Sequence, residues 1–368
     1  MIHTTKKALT TALSRLARVI PARSSNPALT AVHVSVTETA LLLSGTNLEI
    51  DLRLTVPAEI GPDLRGQSFL VPAHLWQQGA AKLPGELVTL ELNGSALHMK
   101  AGGSAQKIQT GSAEVYAPLS FPPHHDGLPV PAPDLLSALR SVGYAASSEA
   151  FQAILRGILL HLTPTLTRAV ASDGYRMAVC TRPPLPGLTA PQSLIIPRRN
   201  AEEVAAVLEG TTDAALHTAP GLLSLTTDSA ALNVKLLEGE FPDWERVVPR
   251  EIRLSAHLSG AALAEALDRV ALFADKNANN RVELRFAGDA LELIAQGDYG
   301  EGREGIAARI EGTEAALTLA LNANHALDAL KQMGGGEVRV DLSGTSTPVK
   351  FTAAGDPGVM AVTVALRE

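Results

Sequence analysis

The chain has 368 residues, 46% of them apolar, with 31 Lys+Arg against 38 Asp+Glu and a single cysteine. That length supports two or three domains with a core in each and excludes a wholly disordered chain, while the lone Cys180 excludes an internal disulfide framework and a Cys₄ metal site. A formal net charge of −7 excludes a protein that coats nucleic acid with its whole surface, because releasing counterions from phosphate needs a positive field, but it leaves room for a basic patch.

Lys6 to Val19 carries Leu9, Leu13 and Leu16 at i, i+4 and i+7, which predicts an amphipathic helix. Short or alternating apolar runs at 31–36 and 40–43 predict strands. Ser68-Phe69-Leu70-Val71-Pro72 predicts a strand that hands over to a helix at 74–83, with Pro72 where a missing N–H costs little. A strand at 87–92 ends on the turn pair Asn93-Gly94. The helical spacing returns with Leu135, Leu139 and Val142. The strand-to-helix segment returns as Ser193-Leu194-Ile195-Ile196-Pro197 followed by 199–208, and a strand follows at 222–225. Both recur again, as Leu263, Leu267 and Val270, and as Leu317-Thr318-Leu319-Ala320-Leu321 followed by 324–333. Between and after them lie strands at 282–286, 291–294 and 338–342.

The three strand-to-helix segments start 125 and 124 residues apart, and the other helix recurs at a similar period. The chain therefore reads as three copies of one α+β unit of roughly 120 residues, each with two helices and a largely antiparallel sheet. Pro-rich stretches at 121–133 and 241–249 mark the joins. The expected domains are 1–125, 126–250 and 251–368.

No catalytic constellation emerges, and no catalytic residue, metal site or cofactor is expected. Gly300-Glu301-Gly302-Arg303-Glu304-Gly305 fits GxGxxG, but a dinucleotide site needs a following helix, and 306–310 reads as a strand, so the segment is expected to be a hairpin turn. His124-His125-Asp126 lies in a Pro-rich linker without a partner cluster, and adjacent histidines cannot easily converge on one ion. Cys180 sits in the apolar run Met177-Ala178-Val179-Cys180 and reads as a core thiol. The N-terminus lacks an apolar run of the secretory kind and nowhere do 18 apolar residues run unbroken, so a soluble, cytoplasmic protein is expected. With 7 Phe, 4 Tyr and 2 Trp, base stacking on single strands is disfavoured.

At Ala171-Ser172-Asp173-Gly174-Tyr175-Arg176-Met177-Ala178-Val179-Cys180 the sequence resembles the bacterial sliding clamps, the beta subunits of DNA polymerase III. Four further stretches agree in order and spacing: 21–29 (PARSSNPAL), 44–50 (SGTNLEI), 240–244 (EFPDW) and 364–367 (VALR). The resemblance covers the whole chain. It implies three clamp-type domains and a head-to-tail homodimer closed into a ring, with helices lining a central hole and antiparallel sheets outside. Such a ring encircles duplex DNA without regard to sequence and tethers the replicative polymerase, so that rebinding becomes a local event at high effective concentration. The implied partners are double-stranded DNA, the polymerase III alpha subunit, the clamp loader, other replication and repair proteins that carry a clamp-binding motif, and a second copy; no membrane is implied.

The charges fit this reading. Six helical segments, 6–19, 72–84, 134–145, 197–209, 259–276 and 321–332, hold 11 Lys+Arg and 8 Asp+Glu, which leaves 20 and 30 elsewhere. Family alignment implies that Arg23, Arg198 and Arg199 face DNA, and Lys6 and Lys7, which supply much of the helical positive charge, are expected to join them, through phosphate contacts that carry no base information. Where relatives often have tyrosines, Ala153-Ile154 stands here. The implied peptide groove comprises Leu155, Ser172, Gly174, Tyr175, Arg176, Met177, Pro242, Arg246, Val247, Val362, Thr363, Val364, Leu366 and Arg367, apolar pockets with polar groups to orient a linear peptide. Met177, Tyr175 and Ala365 replace the usual leucine, histidine and proline, and an extra Glu368 follows, so the preferred peptide can differ. The implied dimer seam sets Ile108 against Leu272 and Phe273, with Gln106 where relatives often have an aromatic. Two other readings remain open on sequence: an enzyme centred on the His124-His125-Asp126 linker, and a repeat scaffold that binds only proteins.

Overall fold

A computed structural model describes residues 1–148 and 152–367; Glu368 lies outside them. The α-helices of the described residues are α1 (Lys6–Val19), α2 (Ala73–Lys82), α3 (Ala132–Val142), α4 (Arg198–Leu208), α5 (Gly260–Ala271) and α6 (Ala323–Gln332). No helix among them is long and apolar enough to cross a membrane. The chain divides into two compact units, Met1–Ala132 with Ala206–Leu236, and Pro133–Ala205 with Leu237–Glu368, so the division runs through the middle repeat.

Local chemistry sets the helices. The Thr5 hydroxyl accepts a hydrogen bond from the Ala8 amide at 3.2 Å and starts α1, whose Leu9, Leu13 and Leu16 are fully buried. Each such leucine contributes about 1.5–3 kcal/mol of burial. Ser259 starts α5 in the same way, with Leu263, Leu267 and Val270 buried beneath it. Lys6 donates from Nζ to the carbonyl of Leu83, the residue that ends α2, and so ties the start of α1 to the end of α2.

Six strands form the internal seams and one edge of each smaller sheet: β1 (Ile50–Pro57), β2 (Ser104–Gln109), β3 (Arg176–Arg182), β4 (Ala230–Lys235), β5 (Gly300–Ala307) and β6 (Asp356–Thr363). In the first unit a nine-stranded antiparallel sheet crosses from the first repeat to the second where β1 pairs with β4, Asp51 opposite Asn233. In the second unit another nine-stranded sheet crosses from the second repeat to the third where β3 pairs with β6, Met177 opposite Val362. The two smaller sheets end on open edges. β2 closes the five-stranded sheet of the first unit, and β5 closes the four-stranded sheet of the second.

The GxGxxG segment differs from the sequence expectation. It is the edge strand β5 itself, and the turn is the Asp298-Tyr299 pair before it, inside the Gly297–Gly300 pairing. The next strand starts only at Arg309. Gly302 makes room for a ring rather than a turn, since a Cβ there would lie 2.6 Å from Phe273 Cδ2, and Gly300 lies against the same ring. His124 sits in a short 3₁₀ turn with Nδ1 3.1 Å from the Thr226 carbonyl, while His125 is exposed beside Asp126. Cys180 is buried, and burial pushes its thiol pKa up.

Candidate functional site

The second unit contains an apolar cavity of about 290 Å³ beside the β3–β6 pairing. Met177 and Val362, both buried, form its floor and belong to a core cluster with Leu159, Val170, Val179 and Ile195. Leu155 and Gln152 also line it, as do Pro242 and, from a 3₁₀ turn at Trp244–Val247, Trp244 and Val247. Tyr175 stands exposed at the rim. Its backbone is held firmly. Asp173 Oδ1 accepts from the amides of Tyr175 and Arg176 at 2.9 Å, Gly174 takes φ +93°, and the Tyr175 carbonyl accepts from the Val364 amide at 2.9 Å. The result is an apolar slot with a fixed polar rim, the form that suits a short linear peptide.

Of the groove residues expected from sequence, Leu155, Ser172, Gly174, Tyr175, Arg176, Met177, Pro242, Val247, Val362 and Val364 line the cavity. Four do not. Thr363 lies between Val362 and Val364 on a strand, so its side chain turns to the other face and is buried there. Arg246 turns to Asp243 at 2.7 Å on the exposed side. Leu366 is held away by its amide bonding the Ala320 carbonyl at 2.7 Å, and the Arg367 carbonyl accepts from Arg281 at 3.1 Å. Phe241, Asp243, Trp244, Gln152 and Pro348 line the cavity without having been singled out. Three of them fall inside the Glu240–Trp244 stretch; nothing in the sequence flags Pro348.

Arg176 is largely committed. Nε meets Asp173 Oδ2 at 3.0 Å, Nη1 meets Asp328 Oδ2 on α6 at 2.6 Å, and Nη2 donates to the Tyr144 carbonyl at 3.1 Å. Its guanidinium also lies over the Tyr144 ring at 5.5 Å, and burial raises the Tyr144 hydroxyl pKa. Arg176 thus anchors the rim to α6 more than it faces the cavity.

The expected DNA-facing residues separate into free and used. Lys7 and Arg23 are exposed in the first unit, where Lys7 and Arg15 line a shallow cavity of about 340 Å³ with Thr11, Thr55 and Ser229. Lys6 is partly engaged, its ammonium donating one hydrogen bond to the Leu83 carbonyl. In the second unit Arg199 is exposed, Arg198 donates to the Ala146 carbonyl at 3.1 Å, and both line a cavity of about 450 Å³ with Arg156, which the sequence reading had passed over.

At the expected dimer seam, Leu272 is 82% exposed and Phe273 44%, and the fully exposed Tyr299 beside them was missed. Ile108, on the edge strand β2, is buried in the single chain at 4% exposure.

Comparison with known proteins decides the family. Residues 1–120, 130–243 and 245–367 match the N-terminal, central and C-terminal domains of the DNA polymerase III beta subunit. The chain belongs to the DNA polymerase III beta subunit family. A beta sliding clamp of Synechococcus elongatus is 26% identical over 358 residues, with 94% of each chain covered. One of Caulobacter vibrioides is 27% identical over 371 residues, covering 98% of each. The fold matches a sliding clamp structure from Pseudomonas aeruginosa, at a TM-score of 0.91 with 24% identity and full coverage of both chains. It also matches one from Thermotoga maritima, at 0.89 with 24% identity, 100% of this chain and 99% of that one. The three repeats are clamp domains, and the chain serves as a DNA sliding clamp for the polymerase, a processivity factor without catalytic chemistry.

Proposed function

We propose that two copies of this chain close head to tail into a ring around duplex DNA. In that ring Lys7, Arg23, Arg198 and Arg199 meet phosphates, and the Met177–Val362 groove takes peptides of the polymerase alpha subunit, the clamp loader and other clamp-binding replication and repair proteins. The domain limits 1–125, 126–250 and 251–368 go with this reading, as does work in the cytoplasm.

The observation that carries the ring is the pair of open edges, β2 and β5. β1, β3 and β5 occupy one place in the three repeats, each after a hairpin with four residues between the facing pairs Thr46–Asp51, Ser172–Met177 and Gln296–Glu301. β2 and β4 also share a place, since Ala96 faces Gln109 as Leu222 faces Lys235. Carrying the β1–β4 register, in which Asp51 faces Asn233, over to β5 of one copy and β2 of the other sets Glu301 opposite Lys107. Both residues are exposed in the single chain, so opposite charges meet where two unpaired strand edges need partners. A head-to-tail contact of this kind is finite only if it closes.

The test loads the protein onto nicked circular DNA with its cognate loader and ATP, removes free protein, and then cuts the circle once. Release on cutting, with retention on the uncut circle, is the expected result; equal retention on both forms overturns the ring. Lys107→Glu should shorten retention on the intact circle roughly tenfold, and adding Glu301→Lys should restore most of it.

A further inference from the structure

We propose that Arg168 is the positioning residue that holds the Trp244 wall of the groove at its working distance from the floor; the inference rests on reading that cavity as a peptide groove. The wall belongs to a segment anchored at its ends, by the Leu237 amide on the Ile195 carbonyl and the Arg253 amide on the Leu342 carbonyl, both at 2.8 Å. Between those two amides, no backbone hydrogen bond to another element is found among the described residues. The 3₁₀ turn at Trp244–Val247 also lacks a side-chain cap. Side chains alone therefore fix the place of Trp244 and Val247.

One contact is the Trp244 indole against the core cluster of Met177 and Val362. Phe241 and Val248 of the same segment pack there too, and Arg168, on the strand Thr167–Ser172, adds the polar grip. Its guanidinium carbon lies over the Trp244 ring, 5.2 Å from the ring centre, and Nη1 is 3.1 Å from Glu245 Oε1. Nε donates to Thr181 Oγ1 at 3.3 Å, across the β3 pairing in which Arg168 faces Thr181. One planar group thus grips two consecutive residues of the wall while its stem is fixed to the sheet. A lysine cannot reproduce this, because a point charge can pair with Glu245 but has no flat face to lay on an indole. Arg168 does not itself line the cavity. It acts through Trp244, and its removal costs a peptide the ordering of a loosened wall on binding.

The test measures affinity of the cognate alpha subunit for wild type, Arg168→Ala, Arg168→Lys and a variant with a polar floor, Met177→Asp/Val362→Asn. Acrylamide quenching of tryptophan emission is read alongside; Trp76 is fully buried, so quenching reports Trp244. Arg168→Ala should bind roughly three- to tenfold more weakly, with greater quenching and a melting temperature close to wild type. Arg168→Lys should fall between the two, and it carries the test should the alanine variant not fold. Wild-type affinity in both variants, or weaker binding with unchanged quenching, overturns the inference. Full binding by the polar-floor variant overturns the groove reading instead, and the role of Arg168 with it.

Discussion

At the first internal seam the residues facing each other across β1 and β4 are Asp51 and Asn233; at the second, the matching places across β3 and β6 hold Met177 and Val362. Asp51 accepts from Thr46 Oγ1 at 2.7 Å and from Asn233 Nδ2 at 3.2 Å. Asn233 also donates to the Ser120 carbonyl at 2.9 Å and accepts from Ser224 Oγ at 2.7 Å. The linker after the first repeat is thereby drawn over its seam, and Tyr116 and Leu119 pack onto Ala28, Ala31 and Leu70. At the second seam the floor offers the linker no hydrogen bond. Phe241, Trp244 and Val248 pack beside the floor, and the cavity stays open. One register position thus holds a polar pair that its own linker completes at the first seam, and an apolar pair beside an open cavity at the second. The physical reason is that a polar floor must be satisfied from within, whereas an apolar floor can wait for a ligand.

The largest effect should come from moving the polar pair across. Met177→Asp with Val362→Asn gives the carboxylate its amide partner, which keeps the sheet, but presents a peptide with a floor it cannot dehydrate without loss. Affinity for the polymerase alpha subunit, read by surface plasmon resonance, should fall on the order of 100-fold. Binding within a few-fold of wild type would break the contrast between the seams.

The reverse change is smaller. Asn233→Val alone leaves the half-buried Asp51 carboxylate with Thr46 as its remaining partner, strands the Ser120 carbonyl and Ser224, and should cost about 1–3 kcal/mol in urea unfolding. Asp51→Leu with Asn233→Val removes both members of the pair together and should cost less than the single change, because no charge is left short of a partner. A double variant worse than the single would mean that the network supports more than its own desolvation.

Much of this architecture was legible in the sequence, and the reason is periodic burial. Leu9, Leu13 and Leu16, and their counterparts in α3 and α5, face a core and nothing else, so spacing alone finds them. Ser172, Gly174 and Met177 were legible because a tight turn and a buried strand constrain residue type locally. What escaped depends on contacts distant in sequence. The bond of the Lys6 ammonium to the carbonyl of Leu83, 77 residues on, is one such contact. Ile108, expected at the dimer seam, is buried in the single chain, which its neighbours in sequence do not reveal. Gly300 and Gly302 of β5 look like a turn in sequence because what they face is the Phe273 ring, which no local pattern contains. Glu368, expected near the groove, lies outside the described residues.

The smallest effect separates the seams by their histidines. In the first unit His33 stacks on Tyr116, ring centres 5.2 Å apart, and burial lowers its pKa below the usual 6.5. In the second, His325 on α6 is lowered first by burial and then by the positive charge of Arg176, while Asp173 and Asp328 pull the other way; its Nδ1 is buried without a partner. For both, the unfolded chain takes up the proton more readily than the folded one. Stability is therefore complete above pH 6.5 and declines as the pH falls from there through the folded-state pKa. His33→Phe, which keeps the ring stack, and His325→Gln should each make the decline of the urea midpoint between about pH 7 and pH 5 shallower. Only the second seam ties its histidine to the groove rim, through Arg176 and Asp328. Asp328→Asn removes a charge that supports protonated His325, so it should steepen the decline, and should lose that effect once His325→Gln is present. Equal steepening in both backgrounds would mean that Asp328 acts through Arg176 alone and that His325 is a bystander to the rim.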